Sequence, residues 1–251
     1  MKLDSSSLSS SGAAEPVAGS PKADQVRSMF NEVSANYDLA NTVMSGGVHH
    51  LWRKAAVKWV GVREGMKVLD CATGTGDLAI EFAQNVGETG SVIGTDFSPG
   101  MLESAPGKAE KLGLKIKFEQ ADVTQLPYDG ASFDISSISF GIRNVEDPVR
   151  GLAELARVVK PGGVVLVIEF GQPSVPGFKQ LFEFYSKHLL PRIGGWVTGK
   201  PKAYQYLQDS SAQFPCREQF VAMMETTGRF SSIEYRTLSF GIAYMYKGIV
   251  R

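Results

Sequence analysis

Short apolar runs alternate with amphipathic segments through the middle of the chain. The runs that predict strands are KVLDCA (67–72), SVIGTD (91–96), KIKFEQAD (115–122), FDISSISF (133–140) and VVLVIEF (164–170). Several of them lack strict polar alternation, which is typical of strands covered on both faces. Segments with helical spacing lie between them, at 77–86, 99–112 and 148–159. This order predicts a parallel sheet with helices on both of its faces.

The N-terminal part of the chain follows a different pattern. Residues 1–22 are rich in Ser, Ala, Gly and Pro and cannot bury enough apolar surface to offset the entropy of ordering, so we predict a disordered tail. A transit peptide is the weaker alternative, because the segment has no Arg and contains Asp4 and Glu15. Residues 23–60 have helical spacing with a break at Gly46-Gly47, which predicts a helical lid.

After Phe170 the regular alternation stops. Two helices are predicted, a strongly apolar one at 178–190 and another at 216–227, followed by strands at 232–240 and 243–250. We therefore expect residues 23–251 to form a single domain, with 171–230 as a helical insertion on the substrate side.

Composition excludes several classes of function. The formal net charge is zero, which argues against a nucleic-acid partner. Cys71 and Cys216 form no CxxC pair, and His49, His50 and His188 form no metal-ligand motif, so we expect no metal and a reducing, cytoplasmic setting. No stretch approaches the roughly 20 apolar residues of a membrane-spanning helix. A lipophilic substrate would have to be reached from the inner membrane face.

A glycine-rich turn follows the first predicted strand. The strand ends in Asp70 and continues into Ala72-Thr73-Gly74-Thr75-Gly76-Asp77. Ligands of open α/β sheets bind at the carboxyl ends of the strands, and glycines there let the backbone approach them closely. The turn alone fits a binding site and a purely structural loop equally well.

Two further acids strengthen the case for a nucleotide site. The second strand ends in Asp96, whose carboxylate can accept hydrogen bonds from both ribose hydroxyls. The third ends in Asp122, placed to meet an adenine amino group. Each acid alone is a common loop residue. Three acids at the ends of three successive strands predict a site for an adenine nucleoside.

Charge separates two classes of cofactor. GTGDLA satisfies the dinucleotide pattern GxGxxG/A, but Asp77 would then repel a pyrophosphate at the start of the helix. S-adenosylmethionine has no phosphate, and Asp70 suits its cationic α-amino group. The sequence therefore favours S-adenosylmethionine over NAD.

Longer motifs extend this interpretation. LDCATGTGD resembles the first motif of class I methyltransferases. Three other stretches resemble the UbiE/MenG quinone C-methyltransferases, namely MFNEVSANYDLANTVMSGGVHHLWRK, FDISSISFGIRNVEDPVRGLAELARVVKPGG and AYQYLQDSSAQFP. The likeness spans residues 26–215, and SFGIRN is its most diagnostic part. It implies a Rossmann-like, doubly wound, seven-stranded sheet, mostly parallel with an antiparallel C-terminal strand, plus an N-terminal helical lid.

The resemblance also implies an activity and a set of cofactor contacts. The activity is carbon methylation of a polyprenylated quinol, either demethylmenaquinol or 2-methoxy-6-polyprenyl-1,4-benzoquinol. Matched motifs place cofactor contacts at Thr75, Asp96, Asp122, Val123 and Ser139, and the complete predicted set adds Asp70, Gly74, Gly76, Phe97 and Met101. Near the C-terminus, Tyr246 stands where the family often has His.

Carbon methylation requires that the ring carbon become nucleophilic, which removal or polarisation of a phenol proton achieves. Arg143 is the first candidate, since it can stabilise a phenolate or orient a water, although a purely structural role fits nearly as well. Asn144 is predicted to bind the second quinol oxygen or to cap the next turn. Tyr37 and His49 lie in the segment that resembles the lid, and His49 is a candidate base with a pKa near neutrality.

The segment FKQLFEFYSKHLL is apolar nearly all round. Such helices are usually buried, and a channel for an isoprenoid tail with an edge on the membrane is the functional alternative. Three rival functions stay open: a methyltransferase of another small lipophilic acceptor, an NAD(P)-dependent oxidoreductase, and a non-catalytic subunit that binds the methyl donor. A homodimer and a quinone-synthesis complex are the expected assemblies.

Overall fold

The computed structural model describes residues 21–173, 175–190, 192–193, 195 and 199–251. The tail predicted over residues 1–22 therefore lies outside the described residues, apart from its last two positions, at which the first helix begins.

Ten helices and seven strands are described. The helices are α1 (Pro21–Val33), α2 (Tyr37–Ser45), α3 (Val48–Val60), α4 (Asp77–Val86), α5 (Pro99–Leu102), α6 (Ala105–Lys111), α7 (Pro148–Arg157), α8 (Phe178–Phe184, continued by a π-turn over Tyr185–Leu189), α9 (Pro201–Gln213) and α10 (Glu218–Thr226). The strands are β1 (Lys67–Cys71), β2 (Ser91–Asp96), β3 (Ile116–Gln120), β4 (Phe133–Ser139), β5 (Val159–Phe170), β6 (Phe230–Leu238) and β7 (Ala243–Val250).

The seven strands form one sheet in the order β3-β2-β1-β4-β5-β7-β6. Strands β1 to β5 are parallel to one another, whereas β7 is antiparallel to both β5 and β6. The predicted fold class is confirmed, including the antiparallel C-terminal strand. The reversal of strand order at β1 and β4 places the carboxyl ends of these two strands at the switch point where such sheets bind ligands.

Apolar clusters cover both faces of the sheet. Leu152 and Leu155 of α7 pack with Phe220 of α10 on one face. On the other face, Trp52 of α3 packs with Phe82 of α4. Burial on both faces explains why the central strands are continuously apolar.

Two predicted element boundaries are wrong. The helix expected over 99–112 is divided into α5 and α6, because Pro106 has no backbone N–H to donate and is tolerated only in the first turn of a new helix. The helix expected over 148–159 ends at Arg157, and β5 begins at Val159, five residues earlier than predicted. Among the described residues, no helix combines the length and the apolar character needed to cross a membrane.

Candidate active site

Two adjoining cavities open at the carboxyl edge of the sheet. The smaller has a volume of about 190 Å³ and lies over the ends of β2 and β3. The larger, of about 710 Å³, extends from the glycine-rich turn to α8 and α9. Both cavities are lined by Phe30, Tyr37, Ala72, Gly74, Ser139 and Phe140. Any group transferred from one cavity to the other must pass through this junction.

Asp96 lies in the wall of the smaller cavity and accepts two backbone hydrogen bonds. One of its oxygens accepts a 2.9 Å hydrogen bond from the Gly74 amide, and the other accepts one of 2.8 Å from the Ser98 amide. Burial raises the pKa of the half-buried carboxyl group to about 6. Gly74 has a φ of 59°, which a glycine adopts without strain, and a Cβ there would approach Met101 to 3.2 Å.

The predicted cofactor residues are divided between three locations. Those in the wall of the smaller cavity are Gly74, Asp96, Phe97, Met101, Asp122, Val123 and Ser139. Thr75 lies in the wall of the larger cavity instead. Asp70 and Gly76 are in neither described wall. The structure thus brings together the residues at the ends of β2, β3 and β4.

Asp70 lies beneath the turn and is fully buried. Its two oxygens accept hydrogen bonds of 2.7 Å from the hydroxyls of Thr73 and Ser137. Burial raises the pKa of Asp70 to about 6, against the opposing effect of these two bonds. Its carboxylate therefore ties the turn to β4, whereas the sequence had suggested a partner for a cationic amino group.

The N-terminal helices cover the smaller cavity. Asn31 of α1 accepts hydrogen bonds from the Ser98 hydroxyl, at 2.5 Å, and from the Gly100 amide, at 3.0 Å. The Arg27 guanidinium lies 5.2 Å from the centre of the Phe97 ring. These contacts place α1 over the segment that follows β2, as a lid.

A cluster of charges fastens α2 and α3 to the glycine-rich turn. The Lys108 ammonium is 2.7 Å from Asp38 of α2 and also bonds Asp77. The Thr75 hydroxyl donates a 2.5 Å bond to Asp38, and Arg53 of α3 is 3.0 Å from Asp77. Although burial alone would raise it, the pKa of Asp77 is lowered by Arg53 and Lys108. Asp77 is thus paired within the protein.

The larger cavity has a wall that is partly polar and partly apolar. Most of its polar side chains come from α2, α3, the glycine-rich turn and the segments after β4 and β6, and α8 and α9 add the phenols of Tyr185 and Tyr206; the others are Tyr37, Asn41, Ser45, His49, Arg53, Thr73, Thr75, Asp77, Ser139, Arg143 and Ser239. Its apolar side chains come mainly from α8 and the turns around it: Phe178, Leu181, Phe182, Phe184, Leu189, Leu190, Leu207 and Phe240. Such a wall fits an amphiphile with a polar ring and a long apolar tail.

Arg143 is buried in the wall of the larger cavity. Its Nη1 is 2.8 Å from Oε1 of Glu169 at the end of β5, and it also donates to the Phe140 carbonyl. Phe140 has a φ of 55°, a left-handed conformation that L side chains rarely adopt. The Arg143 Nε has no hydrogen-bond partner in the structure. The guanidinium is thus held through Nη1 by Glu169 and the Phe140 carbonyl, while its Nε makes no hydrogen bond.

Tyr37 lies at the junction, and Asn144 lies in the smaller cavity. Tyr37 is half-buried in the wall of both cavities, and burial raises the pKa of its phenol. Asn144 lines the smaller cavity, and its Oδ1 accepts a 3.1 Å hydrogen bond from the Tyr206 hydroxyl of α9. The structure therefore brings Arg143 and Tyr37 together in the larger cavity and places Asn144 in the smaller one.

His49 has a different pKa from the one expected. Burial, Arg53 and His50 lower it to about 4, so a base with a pKa near neutrality is a wrong description of this imidazole. At neutral pH the ring is uncharged, and its Nδ1 is 2.6 Å from the Ser45 hydroxyl. His49, His50 and Asp77 lie close enough to share a metal ion, but Asp77 already pairs with two cations.

Several polar residues of the site were missed in the sequence. Glu169 is 1% exposed and was counted as part of the apolar run VVLVIEF. Arg53 is 9% exposed and shares the buried stripe of α3 with Ala56 and Val60. A charged residue within an otherwise apolar strand or stripe was the available signal, because such a group is buried only when it is paired.

Comparisons with known proteins agree with this geometry. The profile of the ubiE/COQ5 methyltransferase family matches residues 19–250. A ubiquinone/menaquinone biosynthesis C-methyltransferase UbiE from Bdellovibrio bacteriovorus is 60% identical over 232 residues, which cover 92% of this chain and 98% of that protein. A protein of the same name from Geobacter sp. (strain M21) is 42% identical over 231 residues, covering 91% and 97%.

Solved structures agree in fold. A SAM-dependent methyltransferase from Thermotoga maritima superposes with a TM-score of 0.64 at 20% identity, covering 89% of this chain and 99% of that one. The [4+2]-cyclase SpnF gives a TM-score of 0.62 at 18% identity, covering 90% of this chain and 78% of that one. The chain therefore belongs to the ubiE/COQ5 methyltransferase family and is a methyltransferase that uses S-adenosylmethionine.

Proposed function

We propose that this methyltransferase methylates a ring carbon of a polyprenylated quinol in menaquinone or ubiquinone biosynthesis. The candidate acceptors are demethylmenaquinol and 2-methoxy-6-polyprenyl-1,4-benzoquinol. The names of the relatives support this substrate class. The observation that carries the proposal is the mixed wall of the larger cavity, which combines the polar groups of Tyr37 and Arg143 with the apolar side chains of Phe178, Leu181 and Phe182. A quinol ring with an isoprenoid tail has the same two kinds of surface.

The smaller cavity suits the methyl donor. Asp96 presents a carboxylate as acceptor for ribose hydroxyls, and Asp122 stands at the end of the next strand to meet the adenine. S-adenosylmethionine supplies an electrophilic methyl group. With its adenosine in the smaller cavity, that group would lie near the junction at Gly74 and Ser139. The side chains at the junction then have to align the acceptor carbon with the methyl group and exclude water.

Arg143 is proposed to stabilise negative charge on the quinol oxygen beside the acceptor carbon. Its Nε is buried without a partner beside the cavity, so a shift of the side chain would let it donate to a phenolate without losing another hydrogen bond of that atom. His49, with a pKa of about 4, stays neutral and is a weak base at physiological pH. Removal of the quinol proton is therefore assigned to a water molecule that Arg143 orients. Tyr37 lies in the adjacent wall of the cavity.

The affinity for S-adenosylmethionine is expected to fall as the pH drops below about 6. The ionised Asp96 accepts hydrogen bonds from ribose, and its pKa in the free protein is raised to about 6. Protonation of this carboxyl group should therefore weaken binding by up to about tenfold per pH unit. Titration calorimetry between pH 5 and 8 measures the effect. D96N should bind weakly without this pH slope, and a slope retained in D96N would contradict the assignment.

The proposed reaction is tested with purified protein, labelled S-adenosylmethionine and reduced acceptors. Demethylmenaquinol and 2-methoxy-6-polyprenyl-1,4-benzoquinol, each with a short and a long tail, would be compared by mass spectrometry of the products. A ring-methylated product that forms faster with the longer tail supports the proposal. Donor binding without transfer to either ring would overturn it and leave another lipophilic acceptor or a non-catalytic role.

We also propose that the apolar end of the larger cavity contacts a membrane surface. Leu181, Phe184 and Phe240 are 65%, 58% and 65% exposed at this end. F184D should weaken co-sedimentation with anionic phospholipid vesicles about tenfold, the value expected for one large apolar side chain. Leu112, 55% exposed on the far side of the molecule beyond α6, provides the control L112D. Equal binding by F184D and L112D would contradict the proposed orientation.

A further inference from the structure

Arg53 is a buried cation with unused hydrogen-bonding capacity. It lies on the inner face of α3 and is 9% exposed. Its Nη1 is 3.0 Å from Oδ2 of Asp77, but neither Nη1 nor Nε has a hydrogen-bond partner with acceptable geometry. Buried guanidinium groups normally satisfy most of their donors, because an unpaired buried donor is costly. The donors of Arg53 therefore need a ligand.

Arg53 contributes to the wall of the larger cavity beside the glycine-rich turn, while its unpartnered Nε and Nη1 are themselves buried, so a ligand in this cavity reaches them after a shift of the side chain. Arg53 lines this cavity together with Thr75 and Asp77. The charge of Arg53 acts on Tyr37 at the junction and on Asp70 beneath the turn. Arg53 and Lys108 share Asp77, and Lys108 also pairs with Asp38, so the cluster holds two cations and two carboxylates. Arg53 is the cation of this cluster that lines the larger cavity, next to the point where the two cavities meet.

The shape of S-adenosylmethionine determines which of its groups reaches this position. With its adenosine in the smaller cavity near Asp96 and Asp122, the placement on which this inference rests, the sulfonium would follow at the junction. The α-amino and α-carboxylate groups lie beyond the sulfonium, at the end of the molecule farthest from the adenine. They must therefore lie on the larger-cavity side, in the region of Thr75 and Arg53.

The cationic side chains in the described wall of the larger cavity are Arg53 and Arg143. Glu169 already neutralises Arg143 at 2.8 Å. We propose that Arg53 binds the α-carboxylate of S-adenosylmethionine through its unpartnered Nε and Nη1 groups. A guanidinium matches a carboxylate in charge and in bidentate geometry. This contact would fix the end of the donor opposite the adenine and so determine the position of the sulfonium.

The test compares two ligands and three proteins by titration calorimetry. S-adenosylmethionine and its decarboxylated analogue differ only in the α-carboxylate. R53M should lose about 10- to 100-fold in affinity for S-adenosylmethionine, the range expected for a charged hydrogen-bonded pair. Its affinity for the decarboxylated analogue should equal that of the unsubstituted protein. K54M removes the neighbouring, exposed charge of α3 and should leave both affinities unchanged.

Other outcomes would overturn the assignment. An equal loss of affinity for both ligands in R53M would mean that Arg53 only supports the fold of the turn. Unchanged donor affinity with a raised KM for quinol would assign Arg53 to the acceptor instead. R53K is the control for misfolding of R53M, because it keeps the charge. Its loss of affinity should be smaller than that of R53M and confined to S-adenosylmethionine. The affinity measurements need no methyl transfer, so their outcome is independent of the quinol proposal.

Discussion

The E169A substitution is expected to lower the free energy of unfolding by about 3–5 kcal/mol, the cost of breaking a buried ion pair from one side. Glu169 is 1% exposed and accepts from the Arg143 guanidinium at 2.8 Å, as well as from the amides of Phe170 and Arg143. Its removal leaves a buried positive charge and two amides unpaired. Equilibrium denaturation in urea measures the effect.

An exposed ion pair on the same sheet provides the control. The side chain of Glu234 is 56% exposed and lies 3.4 Å from Lys247. The E234A substitution should lower the free energy of unfolding by less than about 1 kcal/mol. The double variant R143M/E169M removes both charges and should be more stable than E169A. If E169A and E234A destabilised the protein equally, the buried pair would contribute nothing beyond a surface contact.

The second large effect concerns catalysis. R143K is expected to lower kcat by about 10²- to 10³-fold, the usual loss when one donor to a developing oxyanion is removed. Lysine retains a charge that can pair with Glu169, which limits the loss of stability, but it has no donor equivalent to the Arg143 Nε. Single-turnover kinetics with quinol and saturating S-adenosylmethionine measures the chemical step.

Two comparisons make this result specific. Arg236 is an exposed arginine of β6 that stacks on Trp59, and R236M should keep full activity. Calorimetry of R143K should give an unchanged affinity for S-adenosylmethionine, because Arg143 lines the larger cavity, proposed for the acceptor, and not the smaller one. A normal kcat in R143K would assign Arg143 to the structure of the turn rather than to the reaction.

The sheet and the cofactor cavity could largely be predicted from the sequence, for a geometric reason. Parallel strands end at one edge, so identifying the strands also brings Asp96, Asp122 and Ser139 together. Which carboxylates face the cavity and which are bound inside the protein could not be predicted this way. Asp70 lies next to the last residue of β1, yet its side chain points into the protein, where the hydroxyls of Thr73 and Ser137 donate hydrogen bonds to it.

Residues whose properties depend on contacts between distant segments were the hardest to interpret. The low pKa of His49 arises from burial and from the charge of Arg53, which the pattern of apolar residues does not reveal. Tyr246 stands where the resembling family often has His. In the structure it is buried against Phe220 at 4.4 Å, and its hydroxyl accepts from the Arg217 amide.

The position of β7 between β5 and β6 also constrains folding during synthesis. Every neighbour of β1 to β4 in the sheet precedes residue 171 in the chain, so the parallel half can assemble early. Strand β5 pairs with β7 over Val164–Phe170, and β6 has β7 as its neighbour in the sheet. Until residues 243–250 leave the ribosome, the edge of β5 presents unpaired amide and carbonyl groups that can pair with another chain. Nascent chains stalled before β7 should therefore be strong substrates for chaperones.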